Sequence, residues 1–121
     1  MGINSTEVAY NFGQMGSAYT DAGDPAITPP TNKVFVAITM VTATTFDSST
    51  GLIADNDIAN GLEYIGTAAA AHDAALSPDL GESGTGGLVV NSVAFPAGLT
   101  IYGRWTEIDV ATGSCVAYIG D

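Results

Sequence analysis

Covalent and metal chemistry in proteins falls mostly to histidine, cysteine and the carboxylates. This sequence has one histidine, His72, and one cysteine, Cys115, against thirteen Asp and Glu. A Ser-His-Asp arrangement would have to recruit His72 from the alanine-rich stretch TAAAAHDAAL, and no nucleophile-elbow motif supplies the serine. His72 therefore reads as an exposed or lightly packed residue. Cys115 lies in the apolar run CVAYI and reads as a small buried hydrophobe. Without a second cysteine there is no internal disulfide.

The carboxylates offer two constellations. The stretch Asp55-Asn56-Asp57-Ile58-Ala59-Asn60-Gly61-Leu62-Glu63 has the composition of a calcium loop. Its register fails the EF-hand pattern, because counting from Asp55 puts Ala59 and Asn60 at the fifth and sixth positions and Gly66 at the twelfth. A different calcium site built on Asp55 and Asp57 stays open beside the plainer reading of a polar surface loop. Glu107 and Asp109 are two apart, which puts them on one face of a strand as a candidate carboxylate pair for glycoside hydrolysis. With thirteen acids such spacings arise by coincidence. Zinc would need ligands closer together than one distant His and Cys. The inventory predicts no catalysis and no cofactor.

Charge narrows the partners. Lys33 and Arg104 are the only basic residues, and the formal net charge is −11. Binding to DNA or RNA displaces counterions with Lys and Arg, and two cations cannot do this. Anionic membranes are unsuitable partners for the same reason. No apolar run approaches the ~18 residues of a membrane span. The N-terminus, MGINSTE, has neither the basic flank nor the apolar core of a secretory signal. Met1-Gly2 with Thr6 matches the myristoylation pattern superficially, but no basic cluster supplies a second membrane signal. Only 12% of residues are charged. A surface of Thr, Ser, Asn, Gly and Ala is cheap to desolvate, which suits self-packing or docking on a larger assembly. Arg104 beside Trp105, the sole tryptophan, is a candidate interface anchor. The alternative is a core Trp105 with Arg104 paired to Glu107 or another carboxylate.

These residues must be positioned by strands. Residues 1–32 lack a run of large apolar side chains but carry Tyr10, Phe12 and Tyr19. They read as an extended arm docking through isolated aromatic anchors, or else as a loop-rich first strand pair. Residues 33–46 hold the strongest strand, VFVAITMV, nearly continuous in apolar and β-branched residues and thus buried on both faces. Its length predicts a bend or bulge. Residues 61–66 are a short strand candidate, and 67–76 have helix propensity without an apolar stripe. Residues 88–95 are the next strand, and 99–110 and 115–120 the arms of a terminal hairpin. In 99–110 the apolar phase changes, since Leu99, Ile101 and Trp105 share one parity and Ile108 and Val110 the other. Gly103 is the expected site of a bulge. Short strands between Gly/Pro/Asp/Ser turns, with no βαβ alternation, predict an all-β domain over 33–121. A single β-sandwich is expected, with a jelly roll or small barrel as relatives.

The closing segment FPAGLTIYGRWTEIDVATGSCVAYIG, residues 95–120, resembles the C-terminal segment of small virion structural proteins of marine tailed phages, including cyanophages. The motif is structural, not catalytic. The resemblance implies a virion component, foremost a capsid decoration protein that forms homotrimers, binds the major capsid protein on the outer face of an expanded head and holds neighbours together. A fibre, knob or tail component for host adsorption is the second expectation. An acidic carbohydrate- or calcium-binding β-module is the third.

Overall fold

The computed structural model describes residues 15–55, 64–67 and 88–121. Seven strands form there: β1 (Ser17–Asp21), β2 (Val34–Met40), β3 (Thr45–Phe46), β4 (Leu52–Ala54), β5 (Thr100–Ile108), β6 (Val110–Thr112) and β7 (Ser114–Gly120). Five make one sheet in the order β1-β7-β2-β5-β4, and β3 and β6 make a small second sheet. The domain is all-β, a sandwich of unequal layers, and the described residues include no helix.

β2 is central because its side chains are apolar on both faces. Only Val36 and Thr39 along it are less than buried. It pairs antiparallel with β5 on one side and β7 on the other. β5 and β7 therefore run in the same direction and cannot be joined by a tight turn. The expected terminal hairpin is thus corrected: both strands exist, but β2 lies between them. After β5 the chain crosses into the second sheet as β6, then turns into β7 at Gly113, whose φ is 91°. A side chain there would also run into Thr44, whose buried hydroxyl donates to the Thr42 and Ser114 carbonyls at 2.8 and 3.0 Å.

The expected irregularity in the long apolar run is present. The β2 register shifts between Phe35 and Ala37 against both neighbours, and the strand ends at Met40, short of the predicted 46. On β5 the register against β2 also shifts between Tyr102 and Trp105, around Gly103. Alternation nonetheless survives Gly103, with Ile101 packed on the core, Tyr102 exposed and Trp105 buried. The phase changes at a second shift, between Trp105 and Glu107 opposite β4, which leaves Trp105 and Ile108 both fully buried. Gly103 thus lies in the expected irregularity, and it has a second task. The Trp105 ring lies over it, so a Cβ at Gly103 would sit 2.9 Å from the ring.

Residues 88–95 do not form the predicted strand. Asn91 and Ser92 turn the chain, with Val93 N donating to Val90 O at 3.3 Å, and Leu88 is 83% exposed. Two residues of the run are recruited: Phe95, through a bridge to Thr44 and an edge-on contact with Phe46 at 5.7 Å, and Val90, which packs against the core and donates its amide to Gly66 O at 3.0 Å. The predicted strand at 61–66 and helix or loop at 67–76 fall mostly outside the described residues. Of the expected arm, residues 1–14 also lie outside them, but Ser17–Asp21 is a strand of the main sheet and not part of a free arm. Ile27 returns beside the end of β5, exchanging both main-chain bonds with Ile108 at 2.8 and 3.0 Å. No helix of the described residues is long and apolar enough to cross a membrane.

Candidate binding face

Residues paired across antiparallel strands project from the same side of a sheet. The registers therefore define two rows running across four strands. One row is Ser17 (β1), Tyr118 (β7), Ala37 (β2) and Tyr102 (β5). The next is Tyr19, Val116, Thr39 and Thr100. The opposite side of the same strands carries Ala117, Ile38 and Ile101, which pack into the core with Phe35 and Trp105. The two rows thus belong to the outer face.

That face is aromatic and hydroxylated. Tyr19 is 59% exposed and Tyr102 62%, while Val116, Tyr118, Thr39 and Thr100 are half-buried. The Thr39 and Thr100 hydroxyls meet at 2.8 Å. Tyr102 and Tyr118 each also make an interaction of their own. Neither row contains an Asp, Glu, Lys, Arg or His. Charge lies at the ends instead. Asp21 closes β1 at one end. At the other, Lys33 contacts the Asp121 carboxylate, while Arg104 donates to the Asp121 carbonyl at 2.7 Å and to Asp55 Oδ2 at 3.3 Å. Both cations of the chain are therefore tied to its own oxygens.

Comparison with protein-family models, characterised proteins and solved structures finds no match to this chain.

The singled-out residues are distributed as follows. Tyr19 is on the outer face. Tyr10 and Phe12 lie outside the described residues, as do His72 and Asp57. Trp105 is corrected as an interface anchor: it is 0% exposed, with its indole N–H donating to Ile65 O at 2.6 Å. Burying the largest side chain of the molecule contributes more to the core than an exposed anchor could. Its neighbour Arg104 pairs with Asp55, which occupies one of the two carboxylates considered for calcium. Among the described residues no group of three metal-ligating side chains forms. Asp109 accepts a hydrogen bond from the Thr50 hydroxyl at 3.2 Å, while Glu107 sits on β5 opposite Ile53. Cys115 is fully buried, and burial pushes its thiol pKa up to about 11, far from a reactive thiolate.

Sequence reasoning missed Tyr102 and Tyr118. The signal was available as exposed-phase tyrosines flanking β-branched residues, but it needed the strand order to bring the two together. It also missed Asp47. One carboxyl oxygen of Asp47 accepts the Ser49 and Thr50 amides, both at 2.9 Å, and both hydroxyls. Those bonds lower its pKa to about 2. The oxygen is saturated by its own turn, so Asp47 is a structural acceptor.

The two edges of the sheet differ. β4 is covered, since Thr67 N donates to Leu52 O at 3.0 Å and the Thr67 hydroxyl accepts from Leu52 N at 3.0 Å. β1 is not covered by any strand among the described residues. The bonds Ile119 N to Gly16 O and Ala22 N to Gly113 O aim the even-numbered residues of β1 at β7. The main-chain groups of Ser17 and Tyr19 consequently point away from the sheet.

Proposed function

We propose that the chain is a non-catalytic virion structural protein, a decoration protein that binds the major capsid protein on the outer face of an expanded phage head and stabilises it. The observation that carries this reading is the β1 edge, which no strand among the described residues covers. A partner strand added there would gain main-chain hydrogen bonds, with aromatic side chains supplying contact area. Charge supports the outer surface over the lumen: at −11, with both cations already paired, the protein is repelled by packaged DNA. The phage resemblance of residues 95–120 supports the virion. Binding only the assembled lattice would favour that lattice by mass action.

Homotrimers are part of the proposal, because an edge that no described strand covers and a weakly charged surface both favour self-association. Sedimentation equilibrium at micromolar concentration tests it, and monomer alone speaks against it. For the main proposal, purified protein is mixed with undecorated expanded heads, and occupancy and genome-release temperature are measured at low and high salt. Saturable binding at regular lattice positions with a higher release temperature supports decoration. Modest salt dependence is expected, since apolar and main-chain contacts are little screened. Binding confined to tails supports the adsorption reading instead, and no binding to either rejects both.

A further inference from the structure

A strand that pairs along one side only, and puts few side chains into the core, can be replaced by the same strand of another copy with every contact kept. Among the described residues β1 meets both conditions. It pairs with β7 alone, and Thr20 is its only buried residue. We propose that β1 is exchanged between copies, so that β1 of one chain occupies the β7 edge of a second. The exchange rests on the self-association proposed above and is its structural route.

The β7 edge is already shaped for this occupant. The ladder runs from Ser17 opposite Tyr118 to Asp21 opposite Ser114. It is prolonged at its ends by Ile119 N donating to Gly16 O at 3.0 Å and Ala22 N donating to Gly113 O at 3.1 Å. Within it Thr20 lies opposite Cys115, and both are buried. Each of these contacts is rebuilt unchanged when the strand comes from another copy. A foreign strand would have to reproduce the register and the small buried side chain at position 20, whereas a second copy carries both.

The connection after β1 has the features of a hinge. Residues 22–26 are all exposed. A turn follows β1, closed by Asp24 N donating to Asp21 O at 3.1 Å and Gly23 N donating to Asp21 Oδ1 at 2.9 Å. Opening that turn gives up these two exposed bonds and no core contact. Pro25 fixes its own φ and biases Asp24 toward extended backbone, so the local sequence favours a straight path over a tight bend. Beyond it Ile27 is anchored by both main-chain bonds to Ile108, which confines the change to the hinge. Fully extended, the chain from Ala22 to Ile27 reaches about 17 Å, more than three interstrand spacings of about 4.8 Å. That length carries β1 clear of its own β7.

The test uses the full chain and does not involve heads, so its outcome is independent of the decoration proposal. Thr20→Cys places a thiol opposite the native Cys115, and residues paired in this way have Cα atoms about 5.5 Å apart, within disulfide range. The variant is refolded in a glutathione redox buffer. Its molar mass is measured by sedimentation equilibrium at micromolar concentration, and its covalent size on non-reducing denaturing gels. A β1 that stays in its own chain gives an intrachain disulfide and a monomer band. An exchanged β1 gives a covalent ring of the same size as the sedimenting species, and this is the expected result. Co-refolding wild type with Thr20→Cys/Cys115→Ser, where only an interchain bond can form, should give a covalent dimer of one chain of each. A second variant needs no new cysteine. Lengthening the hinge after Gly23 by about six Gly and Ser residues lets β1 fold back on its own chain and should weaken self-association tenfold or more. It decides the matter if Thr20→Cys fails to fold or leaves both thiols free. An oligomer whose Thr20→Cys chains run as monomers without free thiols overturns the exchange and leaves self-association standing. So does an oligomer unaffected by the longer hinge. Monomer alone in sedimentation overturns both.

Discussion

Gly103→Ala sets two effects of opposite sign against each other. Glycine in a strand interior costs roughly 0.5–1 kcal/mol relative to alanine, so propensity alone predicts stabilisation. The structure predicts the reverse. A Cβ at position 103 would lie 2.9 Å from Cζ2 and 3.0 Å from Cη2 of Trp105. The indole is fully buried, and its N–H is fixed to Ile65 O at 2.6 Å, so the ring cannot swing away freely. Overpacking of this kind costs about 1–3 kcal/mol, and loosening the indole hydrogen bond about 1 more. After the propensity gain is subtracted, a net loss of about 1–3 kcal/mol is expected. For a domain of this size that lowers the thermal midpoint by roughly 3–10 °C. Urea unfolding followed by the fluorescence of Trp105, the only tryptophan, measures it directly. Two controls separate the causes. Gly98→Ala meets nothing within 4 Å but carries a φ of +85°, so it should show only the conformational cost of about 1 kcal/mol. In a Trp105→Phe background, where the smaller ring leaves room, the Gly103→Ala penalty should largely vanish. Stabilisation by Gly103→Ala, or a penalty unchanged in that background, would refute the packing argument.

Asp47 has a pKa lowered from 3.8 to about 2 in the folded state. Its contribution to stability is therefore full above about pH 4 and is lost as the pH falls toward 2. Asp47→Ala should be less stable at neutral pH and show a shallower loss between pH 4 and 2 in acid titrations followed by circular dichroism. Arg104→Gln removes an ion pair whose side chains are about one-third exposed, so the cost should be about 1 kcal/mol or less, and should shrink in 0.5 M salt. Tyr19→Pro deletes an outward amide without breaking the ladder to β7, since the preceding Ala18 is already extended. It should fold, yet bind heads more weakly than Tyr19→Ala; equal binding by the two variants would remove the β1 edge from the attachment surface.

The all-β class was legible because it depends on local signals. Apolar β-branched runs and Gly/Pro/Asp turns mark β2, β5 and β7 without any knowledge of partners. Strand order was not legible, because hairpin logic assumes that neighbours in sequence pair. That assumption fails where a strand as apolar as β2 can cover two partners at once. The 88–95 run misled for a related reason, since its Val89-Val90 and Val93 look like strand but Asn91-Ser92 turns them. Gly103 was correctly expected at a register shift, but the Trp105 ring folded over it is a contact between alternate residues that parity alone cannot reveal. The candidate face was the least legible element. Its rows are assembled from four strands, and Tyr102 and Tyr118 become neighbours only through Ala37.

The position of β2 has a consequence for how the protein comes into being. Its partners lie far downstream, and the Thr39–Thr100 contact alone spans 61 residues. Closing such loops precedes any gain from pairing, which makes folding slow for a domain of this size. Until residues 100–120 have been synthesised, the most apolar strand of the molecule has neither of its neighbours. A nascent or prematurely terminated chain would therefore display a bare, uncharged β-segment, VFVAITM, of the kind that seeds aggregation. Yield in the cell would then be governed less by the stability of the finished sandwich than by the interval during which β2 waits, and slower translation or co-expressed chaperones should raise it.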